Sequence, residues 1–278
     1  GYTTGLVGLW HLGAPEAEEA PKKKLQRQVR DALPAKWTVA AGGKVKRAVL
    51  DAYAEAQAHA RRAGGFQVVE RLYSSPLDSE ALLLPQAMKV HNIEWIADGA
   101  AQFIQKHGAP AAPPFFLYVG WTLPHGPDAG TGLRADAAAF TPAGMWKRTD
   151  SLSQQTQTTR AEVRKRAKED EKGKGQGKGG GGAAFAEGWQ GHKSYGLALA
   201  WLDRGVGTVL WALQRRGVAH TTLAIFTADS GTVDKGHCYS QATRTPLLVQ
   251  WPQRLAAGVR ATALVSSLDL APTLLDAA

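Results

Sequence analysis

Cysteine is nearly missing from this chain, with Cys238 the single one among 278 residues. A disulfide framework needs paired cysteines and a cysteine-based zinc cluster needs several, so both are excluded. No neighbouring residue marks Cys238 as an activated thiolate. Long apolar runs are also missing, and none approaches the ~20 residues that a membrane-spanning helix needs. What remains is 44% hydrophobic residues, an ordinary share for a globular protein with a sizeable core.

Basic residues outnumber acidic ones, and the excess that gives the net charge of +9 is concentrated in two segments. The basic excess lies in residues 16–47 and 160–178. We interpret segments 16–47 and 151–188 as insertions into one domain that spans residues 1–278. The second runs into a Gly/Lys tract without apolar residues, which predicts disorder. No aromatic residues separate its basic ones for base stacking, so specific nucleic-acid binding is not favoured.

Outside these segments, helical and strand patterns alternate along the chain. Continuous apolar runs predict strands, and apolar residues at the 3.6-residue period predict helices. This alternation predicts an α/β layered domain with a buried, mostly parallel sheet. The predicted strands are 115–121, 223–228 and 246–251, and the predicted helices lie near 45–62, 93–104, 195–213 and 267–277.

Polar side chains follow two of the predicted strands. His125 comes after the strand at 115, and Asp229 with Ser230 comes after the strand at 223. Ligands of open α/β sheets collect beyond the carboxyl ends of the strands, where loops and helix N-termini converge. An imidazole and a carboxylate at such an edge are suited to hydrolysis of a charged ester.

Ordered motifs along the chain resemble the sulfatase family, in particular bacterial-type arylsulfatases. The opening run Gly-Tyr-Thr-Thr-Gly-Leu-Val-Gly-Leu-Trp-His-Leu-Gly is similar to a family signature. Further matching motifs lie in residues 91–127 and 195–278, including Pro124-His125-Gly126-Pro127 and Phe226-Thr227-Ala228-Asp229-Ser230-Gly231. The resemblance implies an alkaline-phosphatase-like α/β/α sandwich, with a mostly parallel mixed sheet that is incomplete at the N-terminus.

The resemblance also implies roles for five residues. His11 would lie beside the catalytic aldehyde, and His125 and Lys235 would contact the sulfate. Asp229, and more weakly Ser230, would bind a divalent metal ion, calcium or magnesium, both of which prefer oxygen ligands. The sulfate ester carries charged oxygens, and more charge grows on the leaving oxygen as the S–O bond breaks, so cationic donors and a general acid suit the reaction.

Three departures from the family pattern bear on activity. Leu9 occupies the place of a lysine that contacts sulfate, and Ser230 that of an asparagine ligand of the metal. The family nucleophile is a formylglycine made within a C/S-x-P-S-R pentapeptide, and these 278 residues contain no such sequence. We expect an upstream segment to supply the formylglycine in a sulfatase of which this chain is an N-terminally truncated part.

The resulting functional hypothesis is hydrolysis of a sulfate monoester to an alcohol and inorganic sulfate. The partner would be a sulfated small molecule or a sulfated carbohydrate, and the family suggests a secretory, lysosomal or periplasmic location. Two alternatives stay open. One is a non-catalytic descendant that binds sulfated or phosphorylated polyanions, and the other is a phosphatase or phosphodiesterase of the same superfamily.

Overall fold

The structure is a computed structural model that describes residues 1–10, 42–77, 89–127, 129–134, 140–146, 165, 195–231 and 237–278. The chain divides into two compact units, Gly1–Arg216 and Gly217–Ala278. Within the described residues, no helix is both long and apolar enough to cross a membrane.

The first unit is built on a parallel three-stranded sheet. Its strands are β1 (Thr3–Leu9), β2 (Val68–Tyr73) and β3 (Phe115–Gly120), in the order β2-β1-β3. Strand β1 pairs with β3 in continuous register, from Thr3 opposite Phe115 to Gly8 opposite Gly120. Its pairing with β2 shifts register between Val7 and Leu9. Because β1 is central, its Leu6 and Val7 are fully buried.

Three long helices accompany this sheet, namely α1 (Gly42–Gly64), α2 (Ile93–His107) and α4 (Tyr195–Arg216). Helix α2 begins at the N-cap Asn92, whose side chain accepts a hydrogen bond from the Trp95 backbone N–H. Helix α4 packs against α2, and the buried Trp201 indole donates to Glu94 at 3.1 Å. This bond satisfies polar atoms that would otherwise be costly to bury.

Shorter elements complete the first unit. Helix α3 (Ala129–Arg134) follows the loop after β3, and β4 (Phe140–Thr141) pairs antiparallel with β5 (Gly144–Met145). The largest buried side chains, Trp95 and Trp201, lie on α2 and α4. The core of this unit therefore lies between the sheet and its helices.

The second unit is smaller. It contains β6 (Ala224–Thr227) and β7 (Leu247–Gln250), paired antiparallel, with the short helix α5 (Ser240–Thr243) between them in sequence. A 3₁₀ turn at Ser267–Asp269 leads into the terminal helix α6 (Leu270–Ala277).

The predicted helices and strands all fall on observed ones, with bounds shifted by a few residues. Six of the described elements were not predicted as regular structure, namely β1, β2, β4, β5, α3 and α5. The assignment of 16–47 and 151–188 as insertions stays a prediction, as does the disorder of the second. Helix α1 takes in residues 42–47, and the rest of both segments lies almost entirely outside the described residues.

Candidate functional site

The carboxyl ends of β1 and β3 meet at two glycines. Gly8 has a φ of 94°, and a Cβ added there would lie 1.9 Å from the Gly120 carbonyl oxygen. A Cβ added at Gly120 would lie 2.1 Å from the Leu9 carbonyl oxygen. Glycine is therefore required at both positions, since any side chain would push the two strands apart. The close approach places the Leu9 backbone beside Gly120, at the start of the loop that follows β3.

The residues after Gly8 belong to the signature-like run. Leu9 is partly buried and packs against the core cluster around Tyr73 and Trp95. The Trp10 backbone N–H donates to the Tyr73 carbonyl at 2.9 Å, which extends the contact with β2 past the end of β1. The sequence-predicted His11 follows directly and lies outside the described residues.

His125 lies in the loop after β3, as predicted from the sequence. Its side chain is exposed, whereas Thr122 and Leu123 earlier in the loop are buried. The His125 Nδ1 lies 3.3 Å from the Gly126 carbonyl oxygen. A carbonyl can only accept, so Nδ1 donates in this contact. The Nε2 atom is then an acceptor in the neutral ring and a second donor in the cation, and both forms suit a general acid–base group.

A histidine to which the sequence assigned no role contacts this loop. His91 is 1% exposed, and its ring nitrogens lie 3.0 Å from Thr122 Oγ1 and 2.7 Å from the Pro127 carbonyl oxygen. Thr122 is 31 residues away in the chain and Pro127 is 36 residues away. The sequence could not predict these contacts, because the residues next to His91 do not indicate which distant loop it packs against.

Asp229 and Ser230 lie in the second unit, directly after β6. Asp229 is exposed, and the Ser230 hydroxyl donates to the Gly231 carbonyl at 3.3 Å. Gly231 donates its own N–H to Ala242 of α5 at 2.7 Å, which fixes the start of this loop. The sequence-predicted Lys235 lies outside the described residues, and Cys238 is exposed.

The donors after β6 fit only part of a metal site. A carboxylate and a hydroxyl are oxygen ligands of the kind that calcium and magnesium prefer, but calcium takes six to eight of them. Among the described residues, no three His, Cys, Asp or Glu side chains form a group that could hold a metal ion. Asp229 and Ser230 would therefore contribute two ligands of a larger set.

A cavity of about 210 Å³ lies elsewhere in the first unit. It is lined by Tyr53, Gln57, Glu70, Arg71, Trp95 and Ala143, and it includes none of the sequence-predicted residues. Burial is the main cause that raises the pKa of the Tyr53 phenol above its ordinary value. The cavity is thus a feature distinct from the strand ends where His125 lies.

Comparison with known proteins gives a consistent result. The family model described as Sulfatase matches residues 1–278. Human arylsulfatase A is 39% identical over 106 residues, which are 33% of this chain and 20% of the relative. Arylsulfatase K from Bos taurus is 25% identical over 207 residues, which are 70% of this chain and 38% of the relative. Human N-sulphoglucosamine sulphohydrolase is 43% identical over 79 residues, which are 27% of this chain and 16% of the relative. The chain therefore aligns with well under half the length of these relatives.

Proposed function

Because this chain belongs to the sulfatase family, we propose that it is part of an enzyme that hydrolyses sulfate monoesters to an alcohol and inorganic sulfate. The observation that carries this proposal is the exposed His125 in the loop after β3. That strand runs parallel to β1, whose end leads into the signature-like Trp10-His11 pair. The arylsulfatases among the relatives support the same reaction.

His125 would serve the reaction by donating to the sulfate group. The sulfate oxygens are negative in the ground state, and negative charge grows on the leaving oxygen as the S–O bond breaks. A protonated imidazole in a loop at the strand ends offers an N–H donor to such oxygens, and charge-assisted donors of this kind are strong. Lys235 would add a second cationic donor to the sulfate, and His11 would lie beside the catalytic aldehyde.

Sulfatases as a family bind a divalent metal ion and use a formylglycine. In this chain Asp229 and Ser230 would hold the metal through their oxygen atoms. When bound, a divalent ion neutralises sulfate charge and polarises the group that attacks sulfur. Ser230 would contribute little to the metal affinity, because a hydroxyl oxygen is a weaker ligand than an amide oxygen. We infer that calcium or magnesium is the ion.

The substrate class that we propose is a sulfated small molecule or a sulfated carbohydrate. Two relatives support the carbohydrate by the sugar in their names, human N-sulphoglucosamine sulphohydrolase and an N-acetylglucosamine-6-O-sulfatase from Bacteroides thetaiotaomicron.

The test measures binding of inorganic sulfate by isothermal titration calorimetry in every variant and, in the wild type and the control, also through the imidazole NMR resonances of His125. We expect sulfate to shift these resonances saturably, and His125→Gln to weaken binding by about tenfold, as for loss of a charged donor. His220→Gln is the matched control, because His220 is also exposed but precedes β6 rather than following a strand of the parallel sheet. This control should bind sulfate like the wild type.

Turnover of the full-length enzyme of which this chain is proposed to be a part is measured on aryl sulfate and aryl phosphate, with and without calcium or magnesium. Hydrolysis of the sulfate that a chelator abolishes supports the proposal, whereas preference for the phosphate would replace it with a phosphatase. Binding of sulfated polymers that falls steeply with salt, without any response at His125, would instead favour the polyanion-binding alternative.

A further inference from the structure

We propose that His91 is the positioning residue of the His125 loop, because its buried imidazole ties the two ends of that loop together. The loop runs from Thr122 to Pro127 and carries His125 between those ends. This role rests on the proposed function, since it gives His125 a fixed place for its contact with sulfate.

We call the two contacts of the His91 ring with the ends of the loop, at Thr122 and Pro127, the brace. One ring nitrogen lies 3.0 Å from the Thr122 hydroxyl and the other lies 2.7 Å from the Pro127 carbonyl oxygen. His91 and Thr122 are 1% and 2% exposed, so water does not compete strongly for either side chain. In a dry environment a hydrogen bond is stronger, and a polar atom deprived of it is more costly.

The chemistry of the partners assigns the tautomer. The Pro127 carbonyl can only accept, so His91 Nε2 must carry a proton and donate to it. In the neutral ring Nδ1 is then the acceptor, and the Thr122 hydroxyl donates to it. A neutral Nε2–H imidazole therefore satisfies both ends of the loop at once, whereas the Nδ1–H tautomer would lose the bond to Pro127.

The ring is attached to rigid structure on the opposite side. His91 directly precedes Asn92, the buried N-cap of α2, so its backbone is fixed by the start of a long helix. Gly132 of α3 also packs closely on it, since a Cβ there would lie 3.1 Å from the His91 carbonyl oxygen. The brace thus connects an exposed loop to the helices of the first unit.

Such a brace is useful because a group that acts on substrate must be held in position before substrate arrives. Loops are more mobile than helices, and a misplacement of about 1 Å at a reacting group is enough to lower the rate strongly. His91 itself is buried and is not proposed to touch substrate. It acts through the loop on which His125 lies.

Thr122→Val tests the brace with little change in side-chain shape. It removes the hydroxyl, and Thr122→Ser retains it. Thr208→Val is the control for the loss of a buried threonine, since Thr208 is 1% exposed and its hydroxyl donates to Arg204 within α4. We expect Thr122→Val to weaken sulfate binding by about threefold to tenfold and to speed amide exchange at Leu123, His125 and Gly126. Thr122→Ser and Thr208→Val should change neither measurement.

A second measurement does not depend on sulfate. The ¹⁵N resonances of His91 should show that the neutral imidazole ring carries its proton on Nε2 and none on Nδ1. A protonated Nδ1 with a bare Nε2, or amide exchange equal in Thr122→Val and Thr208→Val, would overturn the positioning role. If instead the tautomer and exchange are as expected but wild-type His125 shows no response to sulfate, the brace stands and the proposed function fails.

Discussion

The two units use similar apolar residues in opposite ways. Strand β1 of the first unit has Leu6 and Val7 fully buried, whereas every residue of β7 in the second unit is exposed. Helix α2 buries eleven of its residues, and the terminal helix α6 buries none. Leu248 of β7 is 61% exposed although its neighbours along the strand are equally apolar.

This difference shows that apolar composition does not locate a core. In the first unit, burial of side chains between sheet and helices supplies the driving force for folding, at about 25 cal/mol for each Å² removed from water. In the second unit, the hydrogen bonds between β6 and β7 and the capping interactions at Ser266 contribute a larger share of the stability. Substitutions of the same chemistry should therefore have very different effects in the two units.

The largest effect is expected from Gly8→Ala. The new Cβ would collide with the Gly120 carbonyl, and the φ of 94° is itself unfavourable for alanine. We expect the free energy of unfolding to fall by more than about 4 kcal/mol, since clash and backbone strain add. Urea denaturation of the full chain, followed through hydrogen exchange in each unit, measures it.

Gly258→Ala in the second unit separates the effect of backbone strain from that of the steric clash. Gly258 also has a positive φ, of 76°, but an added Cβ would meet no atom within 4 Å. We expect a loss of about 1 kcal/mol, from backbone strain alone. Equal losses for the two variants would mean that the close approach of β1 and β3 is not what requires glycine at position 8.

The next effect compares two leucines in strands. Leu6→Ala removes a fully buried side chain from β1, and Leu248→Ala removes an exposed one from β7. We expect the first to lower the free energy of unfolding by about 3 kcal/mol and the second to stay within about 0.5 kcal/mol. A large loss on Leu248→Ala would show that β7 is buried in solution and would remove the contrast between the units.

The α/β fold class predicted from the sequence is confirmed by the family match. The three long helices of the first unit were predictable because each is long enough to repeat the helical period several times, which the short α3 and α5 are not. Strand β1 escaped prediction as a strand since it is buried on both faces and shows no alternation, and Gly5 and Gly8 interrupt its apolar run. Strand β2 has Glu70 and Arg71 at its centre, which breaks its apolar run.

The candidate site was predictable only where a residue follows a strand. The positions of His125 and Asp229 beyond strand ends were predictable, because these are the usual positions for ligands, and their roles stay predictions. His91 was not predictable, because its meaning depends on contacts with residues far along the chain. The roles of His11 and Lys235 stay predictions, since both lie outside the described residues.

The smallest effects concern two helix caps, one in each unit. The Asn92 side chain accepts from Trp95 N–H at 3.1 Å and is 2% exposed, whereas the exposed Ser266 hydroxyl accepts from Leu268 N–H at 3.3 Å. Replacing a cap by alanine costs about 0.5 to 2 kcal/mol, and a buried N–H deprived of its acceptor lies at the upper end. We therefore expect about 2 kcal/mol for Asn92→Ala and below about 1 kcal/mol for Ser266→Ala, measured by urea denaturation. Asn92→Asp and Ser266→Thr, which retain an acceptor, should recover most of each loss. Equal losses for the two alanine variants would mean that water reaches the start of α2 as freely as it reaches Ser266, and the brace on the His125 loop would then lack the dry environment that strengthens it.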